Sequence, residues 1–255
     1  MGVSGRVAVV TGAASGQGRA TALRLAGEGA LVGALDVDLA GLDSLVDEIS
    51  VVGGRCLGLR VDVADAGAVG SVFDQIESEL GRVYVLAAAA AIYPQGTLSH
   101  LRDPRETARV FDVNLMGVIH CASAATSQMI AEGGGGRIIL WSSIGAGAVI
   151  AGHAAYCASK AAIEGLGRAL AAELGPYGIT VNTIAPGAID TPMIADLPPD
   201  SEYFEVLPVG RVGTPDEVAH LVSYLCSDAS GFMTGAVLAL DGGLGGVNGA
   251  VKPDV

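Results

Sequence analysis

The sequence has few aromatic residues and few charges, and positive charges are the scarcer sign. Aromatic residues make up 4% and charged residues 16% of the 255 residues, with 14 Lys and Arg against 27 Asp and Glu. The formal net charge is −13, and no stretch gathers Lys and Arg into a basic stripe. Such a surface repels phosphate backbones and anionic headgroups. We therefore expect no nucleic-acid or membrane partner, and a small molecule as substrate.

Long apolar runs and closely spaced cysteines are also missing. Apolar runs such as residues 7–10 fall far short of the roughly 18 residues that a membrane span needs. The four cysteines, at positions 56, 121, 157 and 226, lie far apart, without the C-x-x-C spacing of a zinc site. Since no signal peptide is recognisable, we predict a soluble, cytoplasmic protein with reduced thiols and no bound metal.

Hydrophobic residues and glycine are abundant, and their arrangement indicates an α/β fold. The chain is 51% hydrophobic and contains 38 Gly. Short β-branched runs alternate with longer amphipathic stretches, as in repeated βαβ units. We predict one domain over residues 1–255, with a doubly wound, Rossmann-like, three-layer α/β/α fold on a seven-stranded parallel sheet. The predicted strands are residues 6–11, 30–36, 55–61, 83–88, 137–142, 179–184 and 236–240, and the predicted helices are 16–28, 39–50, 66–80, 104–131, 155–174 and 215–227.

A glycine-rich loop follows the first predicted strand and precedes the first predicted helix. Its sequence over residues 11–18 is T-G-A-A-S-G-Q-G. Glycines here allow a sharp turn and a close approach to a pyrophosphate, and the start of the helix attracts its negative charge. Glycine loops also make ordinary turns, but this position favours a dinucleotide site. The residues expected to contact the cofactor are Gly12, Ser15, Gly16, Gln17 and Gly18.

Asp36 ends the second predicted strand, 18 residues beyond Gly18. An acidic side chain there accepts hydrogen bonds from both hydroxyls of an adenosine ribose and repels a 2′-phosphate. Its sequence neighbours are Leu35 and Val37, so no basic residue adjoins it in the chain. We therefore predict NAD rather than NADP. The alternative is that Asp36 only caps the helix that begins near Leu39.

Asp62 and Val63 follow the third predicted strand. The Asp62 side chain and the next backbone N–H are placed to meet the edge of an adenine. The alternative is an ordinary strand-to-helix turn, in which aspartate is common.

A tyrosine and a lysine stand four residues apart at Tyr156 and Lys160, on one face of a predicted helix. A nearby ammonium favours phenolate, so Tyr156 can take a proton from an alcohol during oxidation and return it during reduction. Ser142 and Ser143 follow the fifth predicted strand, at the sheet edge where such folds bind ligands. We predict that Ser143 polarises the substrate oxygen. The alternative is that both serines only satisfy backbone groups in a turn.

Taken together, these residues closely resemble the short-chain dehydrogenase/reductase family over essentially the whole chain. The resemblance rests on the loop at residues 11–18 and on Asp62, Asn114, Ser143, Tyr156, Lys160, Pro186, Gly187 and Thr191. It implies that Asn114 holds a water in a proton relay to Lys160, and that Lys160 also binds the nicotinamide ribose. It further implies that Pro186, Gly187, Ile189 and Thr191 lie along the nicotinamide, with Ile189 and Thr191 at its carboxamide. Family members usually form homotetramers.

One segment departs from the family pattern. Members usually carry N-N-A-G at the end of the fourth strand, whereas residues 88–91 are all alanine here. In the family this segment braces the sheet and packs beside the adenosine. Ala89 and Ala90 are therefore still expected to contact the cofactor, while the loss of both asparagines puts local stability and affinity in question.

These observations predict an NAD-dependent enzyme that interconverts a secondary alcohol and a ketone, with a substrate lid at about residues 190–210. Acidic residues in the lid favour a neutral substrate over an anionic one. His153, three residues before Tyr156, is interpreted as a loop histidine without a role in the chemistry, and the alternative is that it touches the substrate or competes with Tyr156 as a base. A catalytically inactive NAD-binding regulator of the same fold is the alternative from another functional class. A nucleotide-sugar epimerase or dehydratase would normally need a longer C-terminal substrate domain.

Overall fold

The computed structural model describes residues 2–94, 103–148, 152–194 and 207–246. Within them, seven parallel strands form one sheet in the order β3-β2-β1-β4-β5-β6-β7. The strands are β1 (Val7–Thr11), β2 (Leu31–Asp36), β3 (Arg55–Arg60), β4 (Val83–Ala88), β5 (Gly136–Trp141), β6 (Ile179–Pro186) and β7 (Val237–Leu240). The α-helices are α1 (Gly16–Gly27), α2 (Leu39–Val51), α3 (Ala66–Leu80), α4 (Pro104–Phe111), α5 (Gly117–Glu132), α6 (Ala154–Leu174) and α7 (Pro215–Cys226). The predicted doubly wound α/β fold is confirmed.

Helices cover both faces of the sheet, which explains why its central strands read as continuous apolar runs. All five residues of β1 and all six of β5 are buried. One face packs against α3, α5 and α6 through residues such as Phe73 and Ile163. The other face packs against α1, α2 and α7 through residues such as Leu25 and Val222. Edge strand β7 is less covered, since Val237 is exposed and the neighbouring Phe232 is fully exposed.

Side-chain caps fix the starts of most helices. Asp38, Asp65 and Asp103 accept hydrogen bonds from the first turns of α2, α3 and α4. Thr214 and Glu217 form a reciprocal capping box at the start of α7. These caps satisfy backbone N–H groups that the helix itself leaves unbonded.

The stretch predicted as one helix over residues 104–131 is helical throughout, but it contains a π-helical turn that the sequence did not predict. The structure has two helices, α4 and α5, joined by one π-helical turn, Asp112–Met116. Asn114 lies in this turn and its amide is bonded away from the helix, to Ile92 and Ser159. A π-turn is a rare single-turn feature inside an α-helix and has no residue-type signature, so the sequence pattern does not reveal it. The remaining predicted boundaries differ by one or two residues, and the predicted lid falls largely on residues outside the described ranges.

Candidate active site

A cavity of about 630 Å³ opens at the carboxyl edge of the sheet. Its walls come from the ends of β1, β2, β4, β5 and β6 and from the start of α6. Because β1 has β2 on one side and β4 on the other, the chain connections leave β1 in opposite directions and open a crevice there. Doubly wound proteins bind ligands in this crevice. Every residue predicted to bind cofactor or to act in catalysis lines the cavity, except Asn114.

The loop between β1 and α1 needs glycine at three places. Gly12 and Gly16 have φ values of +68° and +52°, in the left-handed region. A Cβ on Gly18 would lie 2.1 Å from the carbonyl oxygen of Gly12, and a Cβ on Gly12 would lie 3.0 Å from the Cα of Ala90. Larger residues would therefore collide with backbone and fill the cradle.

The first turn of α1 borders the same cavity. Unlike the capped helices, α1 receives no side-chain hydrogen bond from Ser15 at its N-cap and has no acidic residue in its first turn. The positive end of this helix and its backbone N–H groups therefore suit a diphosphate. Together with the glycine cradle, this donor set fits the pyrophosphate of a nicotinamide dinucleotide.

Gln17 connects this loop to the catalytic side of the cavity. Its side-chain oxygen accepts a hydrogen bond of 2.9 Å from the indole nitrogen of Trp141, at the end of β5. The sequence analysis missed this role for Trp141, because a tryptophan at the end of a buried strand reads as core. The bond ties the phosphate loop to the strand that precedes Ser143.

The Asp36 carboxylate is held at the cavity wall by backbone hydrogen bonds. One oxygen accepts the N–H of Ala14 at 3.0 Å and the other accepts the N–H of Asp38 at 3.0 Å. Arg60 lies directly opposite Asp36 in the β2–β3 register, and its Nε donates to the carbonyl oxygen of Val37 at 3.1 Å. A basic residue is therefore beside Asp36 in space although none adjoins it in sequence.

Asp62 also has defined partners. One carboxylate oxygen accepts the N–H of Ala64 at 3.0 Å, and the other pairs with Arg109 at 2.8 Å. Burial acts to raise the Asp62 pKa, but these two hydrogen bonds and the Arg109 charge together lower it. Arg109 lines the cavity beside Asp62 and Val63. Sequence reasoning missed Arg109, since it comes from a helix 47 residues further along the chain.

Ser143, Tyr156 and Lys160 converge on one wall of the cavity. The Ser143 hydroxyl accepts the N–H of Gly145 at 3.1 Å and is hydrogen-bonded to Tyr156. The Lys160 ammonium donates to the carbonyl oxygen of Trp141 at 2.8 Å and lies 5.6 Å from the centre of the Tyr156 ring. The Ser142 hydroxyl instead donates hydrogen bonds to the carbonyl oxygen of Lys160 and to the Glu164 carboxylate.

Burial dominates the acid–base properties of this wall. Burial raises the pKa of Tyr156, while the hydrogen bond to Ser143 acts to lower it and Cys157 acts to raise it. Burial also lowers the pKa of Lys160 to about 8. The sequence analysis expected the lysine charge to lower the tyrosine pKa. In the structure the ammonium is engaged by the Trp141 carbonyl, and desolvation of the phenolate is the larger effect.

Asn114 lies behind the cavity wall and is fully buried. Its side chain accepts the N–H of Ile92 at 2.8 Å and donates to the Ile92 carbonyl at 3.0 Å and to the Ser159 hydroxyl at 3.3 Å. The amide therefore braces the chain after β4 against the catalytic helix α6.

The alanine segment after β4 is close to the glycine loop. The N–H of Ala90 donates to the Thr11 hydroxyl at 3.0 Å, while Ala88 is buried in the core. Across the cavity, a Cβ built on Gly187 would lie 2.8 Å from the Asp241 Cα, so the two backbone segments are close together. A Cβ built on Gly16 would lie 3.3 Å from the Thr191 methyl, so the segment after β6 reaches the glycine loop between β1 and α1.

Two aromatic residues complete the wall around Tyr156, and the sequence analysis did not assign either a role. Tyr93 stacks on His153 with ring centres 4.4 Å apart and planes at 13°. Tyr93 also meets Tyr156 edge-on, with ring centres 4.7 Å apart and planes at 79°. His153 lies in the loop before α6, as predicted, and it lines the cavity near Tyr156.

No group of three or more His, Cys, Asp and Glu side chains is arranged to hold a metal ion in the part of the chain that the structure describes. Across the same residues, none of the helices combines the length and apolarity that crossing a membrane requires.

Comparison with known proteins agrees with this geometry. The family described as enoyl-(acyl carrier protein) reductase matches residues 12–245. A (2S)-[(R)-hydroxy(phenyl)methyl]succinyl-CoA dehydrogenase subunit from Thauera aromatica is 40% identical over 95% of this chain and 98% of its own. A cis-4-hydroxycyclohexanecarboxylate dehydrogenase from Sinomonas cyclohexanicum is 40% identical over 93% and 96%. A D-threitol dehydrogenase from Mycolicibacterium smegmatis is 37% identical over 94% and 93%.

Solved structures show the same architecture. A short-chain type dehydrogenase/reductase from Mycobacterium marinum superposes with a TM-score of 0.89 at 36% identity, covering 95% of this chain and 96% of that one. An NAD(P)-dependent gluconate 5-dehydrogenase candidate from Beutenbergia cavernae, crystallised with NADP at low occupancy, has a TM-score of 0.90 at 35% identity over 96% and 99%.

Proposed function

Because this chain belongs to the short-chain dehydrogenase/reductase family, we propose that it is an NAD(H)-dependent oxidoreductase that interconverts a secondary alcohol and a ketone. One observation carries the proposal. Ser143, Tyr156 and Lys160 lie together on a cavity whose other end is a glycine cradle at a helix start. A cavity with both features binds a dinucleotide at one end and presents an acid–base group at the other.

The cofactor end is assigned to residues that already line the cavity. The backbone from Gly12 to Gly18 and the start of α1 would hold the pyrophosphate, and Asp36 the adenosine ribose. Val63, Ala89 and Ala90 would surround the adenine side, with Asp62 braced by Arg109. Pro186, Gly187, Ile189 and Thr191 would border the nicotinamide.

The preference for NAD rests on the orientation of Asp36. Two backbone N–H groups fix its carboxylate at the wall, where it would repel a 2′-phosphate. Arg60 opposes this effect from the neighbouring strand, but its side chain is engaged by the Val37 carbonyl. The nearer, fixed negative charge favours NAD.

The chain supplies proton transfer and positioning. The bound nicotinamide accepts or supplies the hydride. During oxidation the Tyr156 phenolate takes the proton of the substrate hydroxyl while hydride leaves the carbon that bears it. During reduction the Tyr156 phenol returns a proton to the carbonyl oxygen. Ser143 donates a hydrogen bond to that oxygen. The Lys160 ammonium would stabilise the phenolate and bind the ribose of the cofactor. Asn114 braces α6 through its hydrogen bond to the Ser159 hydroxyl.

An acyl thioester is a second candidate substrate. The relative from Thauera aromatica is named for a succinyl-CoA derivative, and the matching family for acyl carrier protein. The relatives from Sinomonas cyclohexanicum and Mycolicibacterium smegmatis are named for hydroxylated small molecules instead. We favour a small alcohol, because no cation other than Lys160 and the paired Arg109 lines the cavity in the described residues.

A homo-oligomer is part of the proposal. Edge strand β7 leaves Val237 exposed, and Phe232 beside it is fully exposed. A second copy of the chain would cover this edge, as expected for a tetrameric family. Light scattering of the purified protein tests this, and a monomer at micromolar concentration would contradict it.

Turnover assays test the function. Purified protein is incubated with NAD or NADP and a panel of secondary alcohols, cyclic alcohols, polyols and 3-hydroxyacyl thioesters, and NADH formation is followed by absorbance. The proposal expects oxidation of at least one alcohol, with NAD preferred. Binding of NADH without turnover of any substrate would instead favour the inactive regulator.

A further inference from the structure

The Tyr93–His153 stack is placed to contact the substrate. Both rings are half-buried and line the cavity beside Tyr156, together with Ile144, Met193 and Ile194. Because Tyr93 touches both His153 and Tyr156, with ring centres 4.4 and 4.7 Å away, a substrate that reaches the phenol also lies near the imidazole. These six residues are called the substrate end below.

His153 occupies a position at which helix stability would favour another residue. It is the N-cap of α6, where Ser, Thr, Asp and Asn are preferred because their side chains bond the first turn. The His153 side chain makes no such bond, whereas aspartate or threonine caps four other helices. Its ring is directed to Tyr93 and the cavity instead.

The substrate end has a polar group but no fixed charge for a ligand. In the described ranges, its residues are apolar except for the phenols of Tyr93 and Tyr156 and the imidazole of His153. Lys160 is bonded to the Trp141 carbonyl, and Arg109 pairs with Asp62 at the adenine side. An imidazole nitrogen hydrogen-bonds a hydroxyl or a carbonyl without requiring the substrate to be charged.

We propose that His153 binds a second oxygen of the substrate, and that the enzyme acts on neutral diols or hydroxy ketones in preference to simple alcohols. The inference rests on the proposed function, since it assigns the substrate class of the same site. Tyr93 holds the imidazole flat by stacking, while Tyr156 acts on the first oxygen. A site built to hydrogen-bond a substrate oxygen discriminates against analogues that lack it, because the site's own polar group then loses its partner.

Two variants separate the hydrogen bond from the stack. His153→Phe keeps an aromatic ring on Tyr93 but removes both nitrogens, and His153→Gln keeps a hydrogen-bonding group but removes the ring. The kcat/KM with NAD is measured for cyclohexanol and for the 1,2-, 1,3- and 1,4-cyclohexanediols, and NADH affinity by fluorescence confirms that each variant is folded. The quantity compared is the ratio of the best diol to cyclohexanol.

We expect the wild type to prefer a diol, and His153→Phe to lower the ratio by about tenfold, the effect of one lost hydrogen bond. His153→Gln should keep the ratio within about threefold of the wild type on the same estimate. An unchanged ratio in His153→Phe, or a wild type that prefers cyclohexanol, overturns the inference. Turnover of acyl thioesters but of no diol also overturns it and leaves the proposed reaction standing, whereas turnover of neither class overturns the proposed function itself.

Discussion

The two ends of the cavity are built from different materials. The cofactor end is mainly backbone, because Gly12, Gly16 and Gly18 remove side chains from a loop that approaches Ala90 and the start of α1. The substrate end consists of side chains that meet from the segments after β4, β5 and β6 and from the start of α6. Backbone cradles tolerate little variation, whereas side-chain walls change with each substitution.

This difference has a consequence for recognition. A dinucleotide presents the same phosphates and ribose to every enzyme that uses it, so one glycine pattern serves many proteins. Substrates differ, so the side chains of a substrate wall, here Tyr93 and His153, are expected to vary among enzymes that share one cofactor. Lys160 lies between the two ends: its ammonium is 5.6 Å from the centre of the Tyr156 ring, and in the proposed function it also binds the nicotinamide ribose.

Removing the acid–base group at the substrate end should abolish most of the turnover without weakening cofactor binding. Tyr156→Phe keeps the ring against Tyr93 but lacks the transferable proton, and general acid–base catalysis is worth about 10² to 10⁴-fold. We expect kcat to fall by that factor while the Kd for NADH, measured by fluorescence, changes little. A variant that keeps more than about a tenth of the wild-type rate would show that Tyr156 is not the acid–base group.

Filling the cradle should break the cofactor end. In Gly18→Ala the new Cβ would lie 2.1 Å from the Gly12 carbonyl oxygen, so the loop and α1 must move apart. We expect NADH affinity to fall by at least about tenfold and overpacking to cost about 1–3 kcal/mol of stability. Titration with NADH and thermal melts measure the two effects.

The matched control for this change is Gly70→Ala. A Cβ on Gly70, within α3, meets nothing within 4 Å. Alanine should therefore stabilise the helix by about 0.5–1 kcal/mol and leave NADH affinity unaltered. Equal losses of affinity in both variants would count against a specific role for Gly18.

Exchanging the charge near the adenosine ribose should change the preference between NAD and NADP without abolishing cofactor binding. Asp36→Ala combined with Val37→Arg removes the repulsive carboxylate and adds a guanidinium that can bind a 2′-phosphate. Charge-assisted hydrogen bonds are worth about 1.5–3 kcal/mol, so the NAD to NADP ratio of kcat/KM should shift by about one to two decades. A wild type that already prefers NADP would transfer the decisive role to Arg60, the base opposite Asp36.

The smallest expected effect concerns the stability cost of Lys160. This side chain is 3% exposed, and burial lowers its pKa from 10.5 to about 8, so the folded state binds the proton less tightly than the unfolded state. The cost is complete below about pH 8, shrinks between 8 and 10.5, and disappears above that window. Burying the Lys160 charge costs about 3 kcal/mol of folding free energy. The hydrogen bond from Lys160 to the Trp141 carbonyl offsets about 1 kcal/mol of this cost.

Lys160→Met should therefore raise the Tm by several degrees at pH 7 while abolishing turnover, and the gain should shrink at pH 10. Thermal melts of both proteins at the two pH values measure this. A Tm gain that is larger at pH 10 than at pH 7 would contradict the assigned cause, and a lower Tm at both would show that the Trp141 hydrogen bond outweighs the buried charge.

Much of the fold and of the cofactor end was predictable from the sequence. Buried parallel strands such as Val7–Thr11 must be apolar throughout, and the glycine loop must follow the first of them, so both leave local patterns. The π-turn at Asn114 was missed, because such single turns are rare within α-helices and have no residue-type signature. Arg109 and Trp141 were missed because their partners, Asp62 and Gln17, are distant in the chain.

The sequence by itself determined the family and the layered α/β architecture, and it named Ser143, Tyr156 and Lys160 as candidates for the chemistry, since each depends on residue type and spacing along the chain. Only the tertiary structure decided that Arg60 faces Asp36, that Lys160 bonds the Trp141 carbonyl, and that Tyr93 packs against the rings of His153 and Tyr156. These contacts join segments whose separation in the chain gives no local signal. They exist because parallel strands bring the ends of distant segments to one edge of the sheet.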